Sequence, residues 1–432
     1  MTPDLDVAVV GAGVAGLSAA YALTKAGRSV RVFEAADAVG GRMRTVHHDG
    51  YALDTGAEQL ATHGYEHTWA LLRELGIPLD DAPLIGKPLA VWRDGKAHSG
   101  VADPRGLVTG AGLGLRARFE LGRLMATTAW RQREFDPDHP EATPLGSATI
   151  AQLAQLHHPD LGDYLLQPVV SSFFGWSPKR SAAGPYLSLM TAVGPVSGWR
   201  TYRGGMDTLA RGLAERVEVV PNSPVRQVES LSDGALITTD VDTVTAGSVV
   251  LCVPAPVASA LHVNPAAEAV PFLAASTYSS VLKVGCLLDR PLAPTARRPL
   301  YALLIPQRED RNLACVIADH VKQPDRAPAG RGLLSLIAAP PATRELLDAP
   351  DDEVSHRLLA AAEHYVPGAT AATRTALVHR FRYGLPEATP AALAARPGFL
   401  RRPLASVEYA GDWVMARPAS EGALRAAAIA TE

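Results

Sequence analysis

The sequence predicts an α/β fold in which one domain is assembled from separated segments and an α+β domain is inserted into it. Three observations predict this. Residues 7–33 alternate strand, glycine turn, helix and strand. A β-rich stretch at 217–254 returns only after a mainly helical interval at 85–200. Residues 406–430 close the chain with a strand, a Gly-acid pair and a helix.

The first element is Val7-Ala8-Val9-Val10, a short apolar strand running into Gly11-Ala12-Gly13-Val14-Ala15-Gly16. An Ala/Leu-rich helix follows to Gly27, then the strand Val30-Arg31-Val32-Phe33 ending at Glu34. This is a Rossmann-type βαβ unit with the G-x-G-x-x-G spacing of a dinucleotide site. Gly11 permits the tight turn, Gly13 lets a pyrophosphate approach the backbone, and Gly16 lets helix and strand pack closely. The helix start, around Ala15, presents free N–H groups and a positive dipole end to phosphate. Glu34, with Ala35 beside it, stands 18 residues beyond Gly16. Its carboxylate can take both ribose hydroxyls and would repel a 2′-phosphate. Gly40-Gly41-Arg42 comes next: two glycines allow close backbone approach to a ligand, and an arginine can pair with phosphate.

Residues 48–58 read as a turn, a strand and a glycine-marked loop, and 65–75 as a helix stopped by Gly76 and Pro78. Residues 90–98 resemble a hairpin turning at Asp94-Gly95. Residues 115–135 form a periodic helix, Ser147 is the expected N-cap of a helix to 158, and 160–174 is a further helix. A helix at 207–216 and strands at 217–220, 225–229, 235–239 and 248–254 follow. Strands are expected at 277–288, 300–304, 314–318, 333–338 and 373–383, and a helix at 351–365. A Pro/Ala-rich loop then leads to the last strand and to a helix at 421–430.

The 432 residues, 47% of them apolar, suffice for two or three domains. A net charge of −3 with scattered arginines gives nucleic acid nothing to bind. Cys252, Cys286 and Cys315 each lie in an apolar run with no metal spacing and read as buried small hydrophobes. So few cysteines fit a cytoplasmic protein, and no leader is expected ahead of the first strand. No apolar run reaches the roughly 18 residues of a membrane span. The pairs His47-His48 and His157-His158 do not converge on a metal, because neighbours face apart on strand or helix. Trp176, Tyr186, Trp199 and Tyr202 are expected in a core rather than as pocket walls.

The run from Gly11 to Thr45 resembles the flavin-containing amine oxidase and protoporphyrinogen oxidase superfamily. The resemblance continues at Gly204-Gly205-Met206, Tyr409-Ala410-Gly411-Asp412 and Ser420-Glu421-Gly422-Ala423. It implies a non-covalent FAD, with Gly411 and Asp412 beside its pyrophosphate and ribitol. Val225 would touch adenine through its backbone, and the helix at Glu421, Gly422 and Ala423 would point at the ring, where a dipole stabilises the anion. Gly56, Ala57 and Glu58 fall in the loop that passes the flavin. Glu58 would contact the ring, orient substrate or act as a base, or else stand as a surface glutamate.

Lys283 interrupts the apolar run Val281-Leu282-Lys283-Val284, and a charge there needs a reason. In the amine oxidase branch a lysine on this strand holds a water at the flavin N5 and assists reaction with oxygen. The alternative is a strand-edge lysine reaching water. Ala419 stands where many amine oxidases place a cage tyrosine. The run Arg417 to Glu421 and Tyr383-Gly384-Leu385-Pro386 are closer to the protoporphyrinogen oxidase branch.

The resemblance thus implies a discontinuous FAD domain, at 1–84, 201–262 and 396–432, and a substrate domain at 85–200 and 263–395. It implies a two-electron oxidase or dehydrogenase that takes hydride from a C–H beside nitrogen, or from an activated ring or chain. The substrate would be a medium-sized, partly apolar metabolite and oxygen the acceptor. A flavin-dependent isomerase and a non-catalytic FAD-binding protein are the alternatives.

Overall fold

The computed structural model describes residues 3–432. Two seven-stranded sheets carry the architecture. In the first, β1 (Leu5–Val10) lies parallel between β2 (Val30–Phe33) and the strand Thr243–Leu251. Its flanks are Val219–Val220 beside β2, and the antiparallel pair Val225–Leu231 and Gly234–Thr239 beyond Thr243–Leu251. The closing strand Val407–Tyr409 joins the C-terminal half of Thr243–Leu251 in parallel. β1 and β2 read as near-continuous apolar runs because a parallel sheet is covered on both faces. One cover is α1 (Val14–Lys25), whose Leu17, Ala19 and Ala20 are fully buried.

The second sheet is mainly antiparallel, in the order Thr373–Glu387, Thr277–Leu288, Gly332–Ala338, Leu313–Ala318, Ala302–Leu304, Leu89–Arg93, Lys96–Ser99. The hairpin at Asp94-Gly95 therefore belongs to this sheet, entering it through a parallel pairing with Ala302–Leu304. The strand next to its edge, Thr277–Leu288, divides its side chains by alternation. Leu282, Val284, Cys286 and Leu288 enter a core beneath the helix Asp351–Ala362. Lys283, Gly285 and Leu287 face the other way. There the hairpin of β3 (Thr45–His48) and β4 (Tyr51–Asp54) packs on the sheet. A Cβ on Gly285 would stand 2.2 Å from the Leu53 side chain, so the glycine admits β4 to the sheet.

Local expectations shift in four places. The residues read as a Pro/Ala-rich loop form the helix Pro390–Leu400. Thr389 Oγ1 caps it by accepting the Ala392 N–H at 3.2 Å, and Pro390 occupies the first turn, where a missing N–H costs nothing. The strand before it runs on to Glu387. Thr149, not Ser147, caps the helix Ile150–Gln155, because Gln152 returns a bond to the Thr149 N–H and completes a capping box. The long helix from Leu115 ends at Trp130.

Candidate functional site

The turn after β1 shows what each glycine does. Gly11 has φ +100°, and a Cβ on it would lie 2.9 Å from the Cys252 carbonyl oxygen. A Cβ on Gly16 would stand 1.9 Å from the Gly11 carbonyl oxygen. Gly13 has nothing within 4 Å of its missing Cβ. Gly11 and Gly16 thus shape the turn, while Gly13 leaves the start of α1 open to a cavity of about 810 Å³. A phosphate entering there meets free N–H groups.

Glu34 closes that end. Its Oε2 accepts the Ala12 N–H at 2.6 Å and its Oε1 the Ala36 N–H at 2.8 Å. Ala15, Ala35 and Val225 line the cavity beside it.

Gly41 and Arg42 form the next wall. The Gly40 N–H donates to the Ala12 carbonyl at 2.9 Å, tying this loop to the glycine turn. Arg42 donates from Nη1 to Asp412 Oδ2 at 2.9 Å and from Nη2 to Asp412 Oδ1 at 2.8 Å. Burial pulls the guanidinium pKa down, but the Asp412 carboxylate outweighs it and leaves it raised. Gly411 and Asp412 follow the last strand of the first sheet and line the cavity. Gly56 is dictated by contact, since a Cβ there would lie 2.4 Å from the Arg42 carbonyl oxygen. The next residue, Ala57, donates its N–H to that same carbonyl at 2.9 Å.

Past this polar stretch the cavity is walled by Tyr65, Phe173, Phe174, Trp199 and Tyr301. Phe173 and Trp199 meet edge to face at 5.4 Å. Trp176, Tyr186 and Tyr202 are buried in the core, as is Trp199, which also faces the cavity. Ala419 lines the wall too.

Glu58 also stands on the wall, beside the second sheet. Its Oε1 accepts from Lys283 Nζ and its Oε2 from Lys322 Nζ. Lys283 lies behind the carboxylate and also donates to the Asp54 carbonyl. Lys322 pairs with Asp319 Oδ1 at 2.9 Å, and Ser335 Oγ donates to Asp319 Oδ2 at 2.7 Å. Asp54 accepts from Arg326 Nη1 at 2.9 Å, Thr45 Oγ1 at 2.7 Å and the Met206 N–H at 2.8 Å. Three carboxylates and three cations thus balance, and the side chains of Lys283, Lys322 and Arg326 are almost wholly buried. Burial raises the Glu58 carboxyl pKa above its ordinary value against the pull of both lysines.

Two residues expected at the cofactor, Glu421 and Gly422, stand off the cavity wall. The Glu421 carboxylate does not line the cavity; it turns to the start of α2 (Glu66–Glu74). It accepts the His67 N–H at 3.0 Å, the Thr68 N–H at 2.9 Å and the Thr68 hydroxyl at 3.0 Å. Gly422 is a packing residue, since a Cβ there would lie 2.2 Å from the Arg417 carbonyl oxygen. Of this motif Ser420 and Ala423 reach the wall. The physical reason is helical geometry, which aims successive side chains in different directions.

Sequence reasoning missed Asp319, Lys322 and Arg326. They follow the strand expected at 314–318, and their one signal in sequence is the i, i+3 spacing of Asp319 and Lys322. No cluster of ligating side chains suited to a metal exists among the described residues. Nor is any helix among them long and apolar enough to cross a membrane.

Known proteins resemble this chain in sequence and in fold. Residues 14–431 match the family described as flavin containing amine oxidoreductase. Protoporphyrinogen oxidase 2, chloroplastic/mitochondrial, of Arabidopsis thaliana is 32% identical over 166 residues, 38% of this chain and 31% of that protein. A Mycobacterium tuberculosis protein named as a flavin-containing monoamine oxidase is 29% identical over 275 residues, 58% of this chain and 57% of that protein. The chain thus spans less than two thirds of the length of these relatives. A triple mutant of putrescine oxidase superposes with a TM-score of 0.78 at 21% identity, covering 98% of this chain and 97% of that one. The chain belongs to the flavin containing amine oxidoreductase family, a family of flavin-dependent oxidoreductases.

Proposed function

We propose that this protein binds FAD non-covalently and removes two electrons, as hydride, from a C–H bond beside nitrogen in a medium-sized, partly apolar metabolite. One observation carries the reading. A single cavity joins a phosphate-accepting turn, at Gly13 and Glu34, to an aromatic chamber, with a carboxylate between them. Gly11, Gly13, Ala15 and Arg42 would hold the diphosphate, Glu34 the ribose and Val225 the adenine. Gly411 and Asp412 would hold the ribitol side.

Bound there, FAD supplies the two-electron acceptor. The chain's own groups do the rest. Phe173, Trp199 and Tyr301 exclude water and pack the apolar part of the substrate. Glu58 faces the substrate nitrogen and takes its proton, because a neutral amine releases hydride from the adjacent carbon far more readily than an ammonium does. Lys283, behind Glu58, supplies positive charge that favours reaction with oxygen, the proposed electron acceptor. Non-covalent attachment fits the two cysteines on the wall: burial raises the thiol pKa of Cys252 and Cys315, which makes both poor nucleophiles. Three free cysteines fit a cytoplasmic setting.

The test is direct. The purified protein should be yellow and release FAD on denaturation. Anaerobic mixing with a panel of primary, secondary and cyclic amines should bleach it, and air should restore the colour with formation of peroxide. A colourless protein that takes up no FAD, or a flavin that no amine bleaches, rejects the proposal.

A further inference from the structure

The second buried lysine, Lys322, has a use that the pairing of Lys283 with Glu58 does not require. The Lys322 side chain has no exposed surface, and its ammonium touches one oxygen of Glu58 while Lys283 touches the other. The two lysines differ in what else they hold. Lys322 has a carboxylate of its own, Asp319 at 2.9 Å, with Asp54 Oδ2 at 3.7 Å. Among the described residues Lys283 has only Glu58 as a carboxylate partner, its other acceptor being the Asp54 carbonyl.

We propose that Lys322, anchored by Asp319, is a positioning residue that keeps the Glu58 carboxylate ionised and aimed at the cavity, ready to accept the proton of a substrate ammonium. This rests on the amine reading above. At that step an N–H bond of the ammonium breaks, its electron pair stays on nitrogen, and an O–H bond forms on Glu58. No electron is transferred and no oxidant is consumed. Once Glu58 is protonated, Lys322 keeps Asp319 but Lys283 loses its carboxylate. The proton taken from the substrate therefore appears at the wall as uncompensated charge on Lys283.

The surroundings of Glu58 define what competes with this control. Lys283 faces it from the strand Thr277–Leu288, with His379 beside that lysine on the next strand. Lys322 and Asp319 face it from the helix Asp319–Lys322, and Asp54 from β4 with Arg326 behind it. Tyr301, just ahead of the strand Ala302–Leu304, and Cys315, on the strand Leu313–Ala318, approach it, both held neutral by burial. Of these groups only Lys322 both touches Glu58 and has a separate counter-charge.

The experiment follows the protonated carboxyl band of Glu58 by difference infrared spectroscopy against pH, on the full chain carrying FAD and without substrate. Glu58→Gln assigns the band. Lys322→Met should raise its midpoint by about one pH unit, a tenfold change in proton affinity. Lys322→Arg should restore it, and Asp319→Asn, which removes a negative charge, should lower it. The acidic limb of kcat/KM with an amine should move in the same directions. A merely structural Lys322 would lose stability in these variants without opposite shifts. A midpoint unmoved in Lys322→Met, or moved the same way by both substitutions, overturns the proposal. If Lys322→Met fails to fold, Lys322→Gln, equally uncharged but still able to hydrogen-bond, is read in its place, with the same rise of the midpoint expected. Infrared shifts as expected without turnover of any amine count against the amine reading alone. Turnover with an unshifted midpoint overturns only the role of Lys322.

Discussion

Arg42 and Asp412, 370 residues apart in sequence, form a two-bond ion pair at 2.8 and 2.9 Å on the cavity wall. The pair joins the loop after β2 to the loop after the last strand of the same sheet. It also reaches the second sheet, because Arg42 Nη1 donates to the Gly384 carbonyl at 2.9 Å. A planar guanidinium can serve all three acceptors, whereas an ammonium is a point charge without the fork.

Arg42→Lys should therefore keep the fold but weaken FAD binding by about ten- to a hundredfold, since a bidentate charged pair contributes on the order of 1.5–3 kcal/mol. Fluorescence titration of apoprotein with FAD measures it. An unchanged dissociation constant would remove Arg42 from the cofactor site.

Gly13→Ala and Gly16→Ala should separate binding from folding. At Gly13 the new methyl enters open space, so thermal stability should stay near wild type while FAD affinity falls. At Gly16 the methyl meets the Gly11 carbonyl oxygen at 1.9 Å, and the protein should lose about 1–3 kcal/mol as an overpacked site. Calorimetry of both apoproteins reads the difference. A stable Gly16→Ala protein would show that the turn gives way.

Glu421 should make stability depend on acid. Burial pushes its carboxyl pKa up, but the N–H donors of Thr68 and His67 pull harder and leave it below the ordinary value. A carboxylate depressed in the folded state binds fewer protons there than in the unfolded chain. Its contribution is complete above the unfolded value near ~4.3 and is lost as pH falls through the folded value. Urea denaturation from pH 7 to below 4 should show this loss, and Glu421→Gln should flatten it. That variant should also cost about 1–3 kcal/mol at pH 7, the cost of leaving buried donors poorly paired.

Lys283→Met should slow reoxidation of the reduced protein by oxygen about tenfold or more, if its charge serves the oxygen step. Stopped-flow mixing of photoreduced protein with oxygenated buffer measures that step without any amine. An unchanged rate would assign Lys283 to holding Glu58 alone.

The sequence was most legible where the physics is local. A strand, a glycine turn and a helix each follow from near neighbours, so β1, α1 and β2 were readable with Glu34 at their end. Pro390–Leu400 was not, because three prolines and glycines at 390, 397 and 398 read as a breaker run. The Thr389 cap and burial of Leu393 and Phe399 outweigh that propensity. The closing motif was legible as a helix start, yet whether Glu421 faces the cavity or α2 depends on where α2 lies.

By itself the sequence determined the glycine turn, the acid that follows it and the apolar strands of both sheets, since spacing and periodicity act through adjacent residues. Tertiary structure decided the cavity's charged wall. Glu58, Lys283 and Lys322 come from three separated segments and carry no common spacing. They meet because Gly285 lets Leu53 of β4 down onto the second sheet, bringing Asp54 and Glu58 to the lysines. Buried ions must find opposite charges wherever the fold brings them, and no local pattern in the chain records which charges those will be.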